Sequence, residues 1–143
     1  MVELVMTIVI IGILGAVAAP RMFDEGVFLS RGFSDRLKAT LRHAQQLAVA
    51  QHRFMCVGMS ERGITLTYDA IAQSPNHEVA SCPGRDLTDI SGRRPYVVTA
   101  PDGVTLRGAT SFSFDGAGRP SAKQNIDVGG VRVVVEAETG YVH

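Results

Sequence analysis

VELVMTIVIIGILGAVAAP, residues 2–20, decides how the rest of this chain is read. From Leu4 to Ala19 there is no charge, and every charged residue except Glu3 lies at or after Arg21. As an α-helix the uncharged run is roughly 24 Å long, or about 28 Å from Val2 to Pro20, against about 30 Å for a hydrocarbon core. Only Thr7 breaks the apolar character, so the run lacks the polar stripe of a core helix and reads as a short membrane span. A cleaved signal peptide competes, with Ala16 to Ala19 as its cleavage region. Its start would hold Glu3 and neither Lys nor Arg, where a secretory signal is basic.

Glu3 needs its own account. A carboxylate costs about 2–4 kcal/mol at a bilayer midplane and less near an end, and the positive end of a helix offsets part of that. Two readings stand: Glu3 meets a cation that no residue before Arg21 supplies, or it faces water at headgroup level. Gly12 and Gly15 are small enough to let neighbouring helix backbones approach closely.

Outward from this run, Pro20 should kink the helix, and residues 23–30 form an ambiguous joint. From about Ser30 the helical period returns. Phe33, Leu37, Leu41, Ala44 and Ala48 recur at spacings of three and four, with Leu47 beside them, until about His52 or Arg53. Ser30 or Ser34 is the expected cap. The polar face carries Arg31, Arg36, Lys38, Arg42 and Arg53 against Asp35, a solvated face or a contact for acidic neighbours or lipid headgroups.

Beyond Arg53 the period drops to two, and eleven of the 15 Gly and five of the six Pro lie there. Strands are expected at 54–59, 64–69, 96–99, 104–107, 111–114, 125–128 and 131–137, with a last short one at Tyr141-Val142. Residues 70–95 read as a long loop with room for short strands inside it, and Gly129-Gly130 is a two-residue hairpin signal. The expected fold is α+β: a long N-terminal helix, membrane-spanning in its first half and kinked at Pro20, packed on a small antiparallel β sandwich. The divisions are 1–20, the membrane half; 21–53, linker and amphipathic helix; and 54–143, the sandwich.

The whole chain has 143 residues, 45% apolar and 20% charged, with 14 Lys+Arg against 14 Asp+Glu. That is one ordinary domain, too apolar for disorder and too neutral for a general nucleic-acid coat. Cys56 and Cys82 make no C-x-x-C and, with four scattered His, no zinc site. Outside the cytoplasm an even count favours one disulfide, closing a loop worth roughly 3.5 kcal/mol; two buried thiols are the alternative. No nucleophile elbow, P-loop or dinucleotide fingerprint is present, so no catalytic residue, metal or cofactor is expected. Arg93, Arg94 and Tyr96, in SGRRPY, are the nucleic-acid candidate, two cations beside a ring able to stack on a base, and they would need to share an exposed basic patch with Arg85 or Arg107.

Val2-Glu3-Leu4, the Ile10-Ile11-Gly12-Ile13-Leu14 core and Pro20 resemble the N-terminal helix of type IV pilins and type II secretion pseudopilins. Within them the helix-then-sandwich order, the segment 41–49 and the run from Ser111 to Val142 are similar to GspH/FimT-type minor pilins. They lean toward the minor subunit of mannose-sensitive-haemagglutinin pili. The resemblance implies a structural subunit, anchored in the inner membrane with a periplasmic body, that enters a filament through its N-terminal helix. It implies other pilin or pseudopilin subunits and the inner-membrane assembly platform as partners. Glu3 would pair with a neighbouring subunit's amino terminus. It also implies a leader and first mature residues, methylated at the amino terminus, which are missing ahead of Val2. Some members bind DNA for uptake through a basic C-terminal motif; residues 136–143 here are acidic, so DNA binding is the alternative reading.

Overall fold

Phe33, Leu37, Leu41, Ala44 and Ala48 lie on one side of a helix, and all five are buried. The computed structural model describes the backbone of residues 2–22, 25–108 and 110–143, and their side chains apart from those of 17–25. Helix α1 is Val2–Met22 and α2 is Glu25–Gln51. The strands are β1 (Arg53–Ser60), β2 (Gly63–Ala72), β3 (Arg85–Asp86), β4 (Tyr96–Thr99), β5 (Leu106–Arg107), β6 (Phe112–Phe114), β7 (Gln124–Val128) and β8 (Val131–Val135).

The expected fold class needs correction at its first half. Two helices stand in place of one kinked helix, and no helix among the described residues is long and apolar enough to cross a membrane. Pro20 lies inside α1, whose backbone is helical through Met22; its side chain, like residues 23 and 24 of the expected joint, lies outside the described residues.

Helix α2 begins at Glu25, five residues before the expected start. Ser30 and Ser34 are therefore interior and cap nothing. Their hydroxyls donate back along the helix, Ser30 to the Gly26 carbonyl at 2.8 Å and Ser34 to the Arg31 carbonyl at 2.8 Å. That local bond lets a serine sit on a buried helix face without an unsatisfied oxygen. The helix stops at Gln51 because His52 takes a left-handed backbone, φ 48°, which turns the chain directly into β1.

Strands β3-β2-β1-β6 form one antiparallel sheet, with β4 also on β2, and β5-β7-β8 form a second. Alternation sends Met55, Val57, Ile64, Leu66, Phe112 and Phe114 from the first, and Ile126, Val128, Val133 and Val135 from the second, into one core closed by α2. The β7–β8 hairpin turns on Gly129 (φ 55°) and Gly130 (φ 90°), as a two-residue turn with two positive φ values requires. A Cβ on Gly129 would collide with the Ser30 hydroxyl, so this glycine also sets how closely the hairpin approaches α2.

The edge of β2 is divided between two partners. Residues Gly63 to Leu66 pair with β4, whereas Thr67 and Tyr68 pair with β3. The stretch 70–95, read from sequence as a loop with room for short strands, contains β3 and returns to the edge it left.

Candidate functional site

Helix α1 is apolar on every side and covered on none. Its large side chains from Val2 to Leu14 are between 53% and 76% exposed. Val27 and Phe28, at the start of α2, are exposed as well. Thr7 satisfies its own hydroxyl by donating to the Leu4 carbonyl at 2.9 Å, so it presents little polarity outward. A Cβ built on Gly12 or Gly15 would meet nothing within 4 Å. The chain's own packing does not require either glycine. Glu3 lies in the first turn of α1 and has no ion-pair partner among the described residues.

Cys56 and Cys82 are bonded, Cα to Cα 5.8 Å, which ties β1 to the segment after β2. Cys56 points away from the core between Met55 and Val57, so the disulfide folds residues 73–84 over the outer face of the first sheet. Under that flap lies Asp69, 2% exposed. Its Oδ2 accepts from His77 Nε2 at 2.8 Å and from the Ser81 N–H at 2.8 Å, and its Oδ1 from the Ile71 N–H at 3.0 Å. Burial pushes this carboxyl up, but the bonds from Ile71, Ser81 and His77 outweigh it and hold it below the usual aspartate value. Phe54 packs edge-on against His77, with ring centroids 5.9 Å apart. The pair was not identified from sequence; its signal was a polar residue on a strand face facing a cysteine loop.

Beside the flap a groove of about 770 Å³ runs over Phe54, Cys56, Thr65, Thr67, Val79 and Phe112. Ser111, Ser113 and Ser121 line it together with the carboxylates Glu78 and Asp115, and no histidine does. Among the described residues no group of three or more His, Cys, Asp or Glu is placed to hold a metal ion.

The nucleic-acid candidate is divided among three environments. Arg93 Nε lies 3.2 Å from Asp89 Oδ2, and its backbone N–H also donates to that carboxylate at 2.8 Å. The Ser91 hydroxyl and then the Arg93 N–H hold the Asp89 carboxyl down to about 2, so the pair is ionised at neutral pH. Tyr96 pairs with Leu66 on β2, and its ring tilts against His43 of α2 at 6.2 Å, packed on the core. Arg94 turns instead toward Arg53 and Arg85. The three residues do not converge on one surface.

No family model, curated protein or solved structure matches this chain.

Proposed function

We propose that this protein is a structural subunit of a helix-bundled filament, of the type IV pilus or type II secretion pseudopilus kind, that assembles through α1. The observation that carries the reading is the bare apolar surface of α1 from Val2 to Leu14. A helix that is apolar all round needs cover on all sides, and the body offers it none. Like helices from other subunits provide that cover, and Gly12 and Gly15 are the points where their backbones come closest. Glu3 then meets a neighbouring subunit's cation at the end of the bundle. The partners are other pilin or pseudopilin subunits and the inner-membrane platform that adds them. The disulfide supports a body on the periplasmic side, in an oxidising compartment. The serines that line the groove, among the described residues, have no histidine beside them, and an enzymatic role is not part of this reading. The alternative, a DNA-binding subunit, has less support, because Arg93 is held by Asp89 and Tyr96 by the core.

The test is a photo-crosslinking residue in place of Ile10 in the full-length protein. Crosslinked multimers through α1 are expected, and Gly12→Leu with Gly15→Leu should deplete them. Glu3→Gln should deplete them too while leaving the body's melt unchanged; an unpaired buried charge costs about 3–5 kcal/mol. A chain that stays monomeric without detergent at every concentration refutes the reading.

A further inference from the structure

Three arginines from three separate parts of the chain line one cleft of about 460 Å³. Arg53 opens β1, Arg85 opens β3, and Arg94 precedes β4. The divided edge of β2 is what brings them together: Arg85 pairs with Tyr68 and Tyr96 with Leu66, two positions apart along one strand. Gln51, Tyr68 and Thr88 supply neutral polar groups to the same walls.

The charges here are positioned but not neutralised. Arg53 is held by the main-chain carbonyls of Asp69 and Ala70, and Arg94 by the Thr88 hydroxyl. None of the three is in an ion pair among the described residues, whereas Arg62, Arg93 and Arg119 each have an aspartate. Asp86 is the one carboxylate lining the cleft, leaving a formal excess of two positive charges. The end of α2 at Gln51 contributes about half a negative charge, which offsets a quarter of that. Neutral acceptors fix two of the guanidinium groups and leave their remaining N–H donors for a ligand.

We propose that this cleft binds a small phosphate-bearing anion. Forked guanidinium groups from several directions match the several oxygens of a phosphate better than the two of a carboxylate. The site stands apart from the bare helix and does not depend on the filament reading. The one ring lining the cleft, Tyr68, is half-buried against the core, and a volume of about 460 Å³ suits a compact anion better than an extended nucleic-acid strand.

Pyrophosphate is the probe, titrated calorimetrically into the full-length protein in non-ionic detergent, with acetate and a twelve-nucleotide single strand as separate arms. Saturable pyrophosphate binding that weakens as salt rises, with little or no heat from acetate, is expected. Arg85→Ala with Arg94→Ala should weaken it by roughly tenfold or more, as loss of charge-assisted hydrogen bonds does. Arg107→Ala with Arg132→Ala, exposed and outside the cleft, should leave it unchanged. Equal melting temperatures would confirm that both double variants fold. Absence of pyrophosphate binding, unchanged affinity in the cleft variant, or equal loss in both variants overturns the proposal. So does a strand that binds where pyrophosphate does not.

Discussion

Helices α1 and α2 share a backbone and almost nothing else. In α2 the apolar residues recur every three or four positions, and the stripe they form is buried against two sheets. In α1 apolar residues occupy every side, so no single surface of the body could cover them. Segregation of polarity, more than the amount of apolar surface, determines whether a helix is satisfied within its own chain. A helix lacking that segregation looks outward for cover, and α1 is such a helix.

The sharpest way to break this comparison is truncation inside each helix. Leu41 has no exposed surface, and Leu41→Ala should cost about 4 kcal/mol of body stability in urea unfolding, from lost burial and the cavity left behind. Next in size is the disulfide. Alanine at both Cys56 and Cys82 should cost up to about 3.5 kcal/mol, because the unfolded chain regains the freedom of a 26-residue loop. Reduction of the parent protein should reproduce that loss; a melt insensitive to reductant would mean the flap is held by Asp69 alone.

Asp69→Asn comes third, at about 2 kcal/mol, since an amide cannot accept from all three donors and turns a donor of its own toward one of them. Its pH dependence has a definite sign. The folded carboxyl titrates below its ordinary value of 3.8, so its stabilising contribution is complete above that pH and is lost as pH falls through the lower folded value. Parent and variant melts should therefore converge under acid and separate above about pH 4. The smallest effect belongs to α1. Ile10→Ala should change body stability by less than about 0.5 kcal/mol while weakening α1-mediated association. A loss comparable to that of Leu41→Ala would place α1 in the core and end the contrast.

Local pattern carried much of the fold. The stripe from Phe33 to Ala48 and the Gly129-Gly130 turn were legible because each is set by residues a few positions apart. The start of α2 was misplaced at Ser30, since a serine bonded back to Gly26 inside a helix is indistinguishable in sequence from one that caps it. The membrane span was inferred from apolar content and length, whereas no helix among the described residues is long and apolar enough to cross a membrane. The sites were less legible than the fold. Arg53, Arg85 and Arg94 meet only because β3 and β4 share an edge, and Asp69 meets His77 only because a disulfide folds the flap back. In both cases the partners are joined by pairings across the chain, which no local period records. The adjacency of Arg93 and Arg94 was misleading for the same reason: neighbours in sequence, they point into different environments.

The shared edge of β2 has a consequence for how the molecule avoids the wrong kind of polymer. An open strand edge invites another sheet to add to it, and ten residues of β2 would be a long template. β4 occupies one stretch of that edge and β3 another. On the second sheet the carboxyl-terminal segment does the same for β8, through the reciprocal hydrogen bonds between Val134 and His143 at 2.8 and 3.0 Å. The outer side of β6 is engaged at Ser113 by the Ser121 N–H at 2.8 Å. These pairings shorten the stretches of strand edge left open to another sheet, which disfavours cross-β stacking of the body.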